Sequence, residues 1–299
     1  VRSLITGGKG FVGSWLSRHL EQMGDEVQVI DAETDVADVD ALRPVLRARP
    51  PDAVYHLAAL SHVGASWATP EPVLRTNVLG TANLLAVARQ EAPEAAVLVV
   101  SSAEVYGVVR EDQLPLTEST PVAPVSPYAA SKAAAEQVAL QAWRGYGQRV
   151  LVVRPFNHVG PGQAPSFAVS ALAKRIAEAK RSGSGRLTVG TTATRRDFSD
   201  VRDVVRAYRL VIQRAPAGSV LNVASGHDVA VADVAAMLMD AAGVQLELVT
   251  DPALVRPVDV PVLRGNPAAL SSAVGGWSAD IPLRTTLADV LAYWEARTT

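Results

Sequence analysis

Tyr128 and Lys132 stand one helical turn apart in the run Tyr128-Ala129-Ala130-Ser131-Lys132. That spacing places a phenol and an ammonium on the same face of a helix. An ammonium beside a phenol favours the phenolate and brings its proton into play for transfer. In isolation such a pair reads as a surface lysine beside a packed tyrosine, because the pattern recurs by chance. Ser101-Ser102 changes the weighing. It closes the fourth of a series of short apolar runs that read as parallel strands, and open α/β sheets bind ligands at the carboxyl ends of their strands. A hydroxyl, a phenol and an ammonium gathered there can surround a C–OH or C=O group. Ser102, Tyr128 and Lys132 are therefore the candidate catalytic residues.

Thr6-Gly7-Gly8-Lys9-Gly10-Phe11-Val12-Gly13 lies between the first apolar run and the first helical pattern. Its glycines satisfy G-x-G-x-x-G at Gly8, Gly10 and Gly13, and the variant G-x-x-G-x-x-G at Gly7, Gly10 and Gly13. They permit a tight turn and close approach of the backbone to a pyrophosphate, which the helix N-terminus receives through its N–H groups and dipole. The G-x-x-x-x-G-K-[ST] pattern of a P-loop is absent. Asp31 ends the second strand at about the 20-residue distance at which a carboxylate accepts hydrogen bonds from the adenosine ribose. It would repel a 2′-phosphate, and no Arg or Lys lies between Asp31 and Asp40 to hold one. NAD(H) is favoured, with NADP(H) as the alternative.

Strand and helix patterns alternate to position these groups. Arg2–Thr6, Glu26–Asp31, Ala53–Leu57, Ala96–Ser101 and Arg149–Arg154 read as strands. Phe11–Met23, Val39–Arg49, Pro72–Arg89 and Pro127–Tyr146 read as helices. This rhythm predicts βαβ units and a doubly wound, Rossmann-type parallel sheet with both faces covered. Asp200–Arg214 reads as a helix, and Ser219–Ala224 as a strand rejoining that sheet. Two stretches break the rhythm. One is Gly160–Phe198, with a helix near Phe167–Lys180. The other follows Ala224, with a helix (Ala230–Ala242), a strand (Glu247–Val249), proline-rich loops and a C-terminal helix (Thr286–Arg297). The expected division is a dinucleotide domain of residues 1–159 and 199–225 and a smaller α+β substrate lobe of residues 160–198 and 226–299.

Composition narrows the function classes. The 299 residues include no cysteine, which excludes disulfides, thiolate catalysis and Cys-ligated zinc; no metal is expected. A net charge of −2 gives no sign of a nucleic-acid or anionic-membrane partner. The first apolar segment is too short for a signal peptide or a membrane helix. The expectation is a soluble, cytoplasmic protein. The helices Pro72–Arg89 and Pro127–Tyr146 carry Ala, Leu and Val on more than one face, more than one sheet contact uses.

The motifs TGGKGFVG, YHLAA at Tyr55–Ala59, Ser101/Ser102, YAASK and RPFNHVGPG at Arg154–Gly162 arrive in an order that resembles the extended short-chain dehydrogenase/reductase family over nearly the whole chain. Ser61-His62-Val63, the segment Ser102–Gly107, Asn157-His158, Arg195–Phe198 and Arg256–Pro261 resemble its GDP-mannose branch, which holds dehydratases and reductases. The resemblance implies a nucleotide-sugar substrate, a GDP-sugar foremost, and reduction of a 4-keto-6-deoxy sugar such as GDP-4-keto-6-deoxy-D-mannose to GDP-D-rhamnose. A GDP-mannose 4,6-dehydratase or an NAD-dependent 4-epimerase is the alternative. Implied cofactor contacts are Gly7, Gly10, Phe11, Val12, Gly13, Asp31, Asp35, Val36, Leu57, Ala58, Ala59, Tyr128 and Lys132. Implied substrate contacts are Ser102, Asn157, Arg196, Arg256 as a diphosphate-binding arginine, and Asp259. Glu104 joins the catalytic set, since similar dehydratases use a Glu there as a base and similar reductases also carry it. The acid of dTDP-glucose-type dehydratases is replaced by Ala103, and the loop after Asp31 is short and acidic; both departures speak against dehydration. His62 and His158 read as structural hydrogen-bonders. Relatives pair their two long helices in a four-helix bundle, implying a homodimer.

Overall fold

The computed structural model describes residues 1–251 and 260–298. Arg256 and Asp259 lie outside them. The strands β1 (Arg2–Thr6), β2 (Glu26–Ile30), β3 (Ala53–His56), β4 (Ala96–Val100) and β5 (Val150–Pro155) alternate with α1 (Phe11–Gln22), α2 (Val39–Ala48), α3 (Val63–Ser66), α4 (Pro70–Leu74), α5 (Gly80–Glu91) and α6 (Pro127–Tyr146). The remainder comprises β6 (Asn157–Val159), α7 (Ala168–Ser182), β7 (Arg186–Val189), β8 (Arg195–Asp200), α8 (Val201–Arg214), β9 (Val220–Val223), β10 (Asp228–Ala230), α9 (Val231–Ala242), β11 (Glu247–Thr250), β12 (Val262–Leu263), α10 (Ala268–Val274) and α11 (Leu283–Glu295).

The main sheet has six parallel strands in the order β2-β1-β3-β4-β5-β9. The doubly wound α/β expectation holds, and β9 rejoins the sheet as expected. Ala-Val-Leu-Val-Val in β4 and Val-Leu-Val-Val in β5 are continuous apolar runs because helices cover both faces. One face packs on α1, α8 and α10 through Leu16, Leu20, Tyr208, Val211 and Leu270. The other packs on α2, α5 and α6 through Leu42, Leu46, Leu84, Ala88 and Leu140. The chain leaves β1 outward to β2 and returns to β3 on the opposite side of β1, so the crevice of the strand-order switch opens above the glycine loop.

A third apolar cluster joins α7, α9 and α11 around Leu172, Ile176, Leu238 and Val290. Beside it lie a small sheet of β10, β8 and β12 and the pair β7 and β11. The short strands β6, β7, β8, β10 and β12 and the helix α10 are additional to the sequence reading. Their pieces are too brief for a period to emerge, and β8, Arg-Arg-Asp-Phe-Ser-Asp, is polar in composition yet mostly buried. Leu270, Val274 and Trp277, grouped above with the smaller lobe, pack instead against the α8 face of the main sheet.

The expected helix Pro72–Arg89 begins at Pro70, runs to Glu91 and is interrupted by a π-helical turn at Arg75–Leu79. Asn77 and Thr81 anchor this turn. The buried Asn77 amide accepts from Leu60 N (2.9 Å) and donates to Ser131 Oγ (2.8 Å), while the Thr81 hydroxyl donates to the Asn77 carbonyl (2.6 Å). Side chains inserted into the ladder in this way widen a turn.

Candidate active site

The glycine loop is fixed by space. Gly7 has φ +70°, and a Cβ there would stand 2.8 Å from Ala58 N. A Cβ on Gly13 would meet Gly8 Cα at 2.6 Å, so only glycine lets α1 seat against the loop. No side chain caps α1 at Gly10, which leaves first-turn N–H groups for a ligand. Behind the loop, His56 ties three elements together. The Thr81 hydroxyl already donates to Asn77, so it accepts from His56 Nε2 (3.0 Å); Nδ1 then accepts from Thr6 Oγ1 (2.8 Å). Burial pushes the His56 pKa down to about 3, with the Lys132 charge acting the same way.

Asp31 accepts from the backbone N–H groups of Lys9 (2.7 Å) and Ala32 (2.9 Å). The fold also brings cations to this acidic loop from outside it. Lys9 Nζ meets Glu33 at 2.9 Å, and Arg75 meets Asp35 at 2.7 Å and holds that carboxyl below its usual range. Neither cation lies between Asp31 and Asp40 in the sequence: Lys9 arrives from the glycine loop and Arg75 from the π turn.

Ser102 caps a 3₁₀ turn, Ala103–Tyr106, accepting from Glu104 N at 3.2 Å. Across from it, Ser126 caps α6 by accepting from Ala129 N at 3.1 Å, with Pro127 in the first turn. That start sets Tyr128 and Lys132 on the buried side. Lys132 Nζ donates to the Val100 carbonyl at the end of β4 (2.8 Å) and lies 6.0 Å from the centre of the Tyr128 ring. Burial pushes the Tyr128 hydroxyl up to about 12; its hydrogen bond with Ser102 pulls the other way, and the Glu104 charge adds to the rise. Burial brings Lys132 down to about 8 against the pull of Glu136.

One cavity of about 1200 Å³ runs from the glycine loop to α7. Every site residue expected from the sequence and present among the described residues lines it, from Gly7, Asp31 and Val36 at one end through Ala58, Ser102, Glu104, Tyr128 and Lys132 to Asn157 and Arg196. Arg196 is buried, with Nη1 donating to the carbonyls of Arg195 (2.9 Å) and Val260 (2.6 Å). Arg175 of α7 is a lining cation that the sequence reading did not single out; it reads there as one more charge on an amphipathic helix. His62 caps α3 by accepting from Ala65 N (3.0 Å) and also lines the cavity.

A parallel sheet with a glycine-cradled helix N-terminus at its switch point, and a Ser/Tyr/Lys set at the end of β4, together define a Rossmann-fold enzyme of the extended short-chain dehydrogenase/reductase type. The chain belongs to the NAD dependent epimerase/dehydratase family, whose model matches residues 3–224. It is 38% identical to the GDP-6-deoxy-D-mannose reductase of Pseudomonas aeruginosa, over 99% of this chain and 98% of that one. The structure of RMD from Pseudomonas aeruginosa complexed with NADPH superposes with a TM-score of 0.91 at 38% identity, covering 99% and 100% of the two chains. The Thermus thermophilus UDP-glucose 4-epimerase in complex with NAD gives 0.89 at 28% identity, over 98% and 99%. Solved relatives thus bind NADPH or NAD, and the family uses NAD(P). Among the described residues, no helix is long and apolar enough to cross a membrane.

Proposed function

We propose that this chain reduces a nucleotide-linked 4-keto-6-deoxy sugar, converting GDP-4-keto-6-deoxy-D-mannose to GDP-D-rhamnose. The observation that carries the reading is the Ser102/Tyr128/Lys132 set lining one cavity with the glycine cradle, in a chain similar end to end to a GDP-6-deoxy-D-mannose reductase. The residues fit a nicotinamide dinucleotide. A Cβ at Gly7 or Gly13 would close the cradle, first-turn N–H groups of α1 receive the pyrophosphate, and Asp31 accepts from the adenosine ribose. When bound, the cofactor supplies the hydride for the C4 carbonyl carbon. Tyr128 donates its proton to the carbonyl oxygen, and Ser102 orients that oxygen. Lys132 holds the nicotinamide ribose and stabilises the phenolate that Tyr128 leaves behind. Asn157, Arg196, Arg256 and Asp259 serve the sugar nucleotide. The substrate lobe is residues 160–198 and 226–299, with 268–277 returned to the dinucleotide domain on the packing described above. NAD(H) is the favoured cofactor because Asp31 meets the ribose; Lys9 and Arg75 are what a 2′-phosphate would draw on. The protein works as a cytoplasmic homodimer.

The test supplies GDP-4-keto-6-deoxy-D-mannose with NADH or NADPH, and GDP-mannose with NAD in parallel. Stoichiometric oxidation of the reduced cofactor in the first, with no 4-keto product in the second, is the expected result. The second reading is dehydration with retained NAD, in which Glu104, beside Ser102 in the same cavity, would be the base at sugar C5. The reverse pattern of turnover would establish dehydration.

A further inference from the structure

Behind the catalytic set lies a charged pair, Glu136 and Arg154, with side chains only 1% and 6% exposed. The guanidinium grips the carboxylate twice, Nε to Oε1 at 2.9 Å and Nη2 to Oε2 at 2.7 Å. A pair so buried is costly to desolvate and contributes little net stability against an apolar replacement. Its place in the fold gives it another use. Glu136 follows Lys132 by one turn of α6 and accepts from the hydroxyl of Ser101, the neighbour of Ser102. On the other side, Arg154 Nη1 donates to Tyr106 Oη (3.1 Å), which donates to Asn222 Oδ1 (2.7 Å). Tyr106 closes the 3₁₀ turn that carries Glu104. One ion pair therefore touches both halves of the site: α6, with Tyr128 and Lys132, and the β4 exit, with Ser102 and Glu104.

We propose that the Glu136–Arg154 pair is the positioning device of the active site, with the carboxylate as the counter-charge one helical turn from Lys132 and the two ends of the pair fixing the β4 exit against α6. Its catalytic part rests on the reductase reading; its electrostatic part does not. The groups that act on Lys132 are Tyr128 and Glu136 from α6, His56 from β3 and the Val100 carbonyl from β4; Arg154 from β5 is engaged by Glu136, and Glu104 acts on Tyr128 from the 3₁₀ turn. Among them Glu136 is the carboxylate that raises the Lys132 pKa, while burial lowers it. His56 is neutral at working pH and contributes no opposing charge.

Lys9, Lys132, Lys174 and Lys180 are the lysines of the chain, so side-chain ¹³C labelling of lysine gives a spectrum in which Lys132 is assigned by its loss in Lys132→Arg. The titration of Lys132 is followed in wild type, in Glu136→Gln, and in Glu136→Gln/Arg154→Met. The last removes both charges and folds where a lone buried guanidinium does not. The expected result is a Lys132 pKa lower in either variant than in wild type. An unchanged value in a folded variant overturns the proposal. Turnover is measured alongside. In Tyr106→Phe, which keeps volume and loses the bond to Arg154, kcat should fall by roughly three- to tenfold while cofactor KM holds, as for a small displacement of positioned groups. Wild-type kcat in Tyr106→Phe, with wild type active, overturns the positioning part. An inactive wild type defeats the reductase reading and leaves the lysine titration to decide this proposal.

Discussion

At the residue scale the proposed chemistry turns on Tyr128. Replacement by Phe keeps the ring in its buried seat at nearly constant volume, and the cradle and Lys132 are untouched. Cofactor titration should therefore match wild type while turnover falls by ~10²–10⁴-fold, the worth of a positioned general acid; a Phe variant within tenfold of wild type would remove Tyr128 from that role. In the proposed reaction Lys132 sets the pH response. It is charged below about 8 and loses its proton above, so kcat/KM should decline as pH rises through that value, and a profile flat to pH 9 would contradict it. Asp31→Ala should narrow the gap between NADH and NADPH in competing titrations; tighter NADPH binding by wild type would reverse the cofactor preference. The groups named in these tests were legible in the sequence because each sits in a local pattern. Glu136 was not. In an Ala-rich helix it reads as a solvated charge, and its partner Arg154 is near only once β5 has packed against α6. Arg175, Lys9 and Arg75 were missed for the same reason: their roles depend on neighbours distant along the chain.

At the element scale the alternation of apolar runs and helical periods was sufficient for the main sheet, since each βαβ unit is closed by contacts local in sequence. It was insufficient for β6, β8, β10 and β12, whose few residues pair across long separations. Nor did it reveal the π turn, where the Thr81 hydroxyl takes the Asn77 carbonyl. The His56 knot between β1, β3 and α5 carries a consequence for stability. Its folded pKa lies near 3, far below the unfolded value of 6.5. Between those values the unfolded chain binds a proton that the native chain refuses. Stability is thus fully present above pH 6.5 and is lost as pH falls toward 3. His19 and His158, also lowered chiefly by burial, act in the same direction. Tm measured from pH 7 to pH 4.5 should fall, and His56→Asn should flatten the slope. A level wild-type Tm over that range would mean His56 is not buried neutral.

At the scale of the whole molecule, the face left over by both sheet coverings bears on assembly. Val73, Leu84 and Leu85 turn inward, but Leu74 and Leu79 remain 46% and 47% exposed. Half-buried Val78, Ala82 and Ala86 continue their stripe along the helix 70–91. Ala133 and Ala134 of α6 stand half-buried, and Ala130 is exposed. Small and branched apolar residues along two neighbouring helices suit close packing against the same two helices of a second copy, since a two-fold axis brings one patch against itself. Exposed apolar patches of this kind suit an interface. The proposed homodimer buries this stripe, and it leaves the cavity mouth clear because Ser102, Tyr128 and Lys132 face the sheet side of α6. Light scattering at micromolar concentration should give twice the chain mass. Leu79→Glu should shift the protein to monomer by placing a charge in the apolar seam, with secondary structure retained because the side chain is half in solvent already. A wild-type monomer, or a Leu79→Glu protein that remains dimeric, would assign this face to another use.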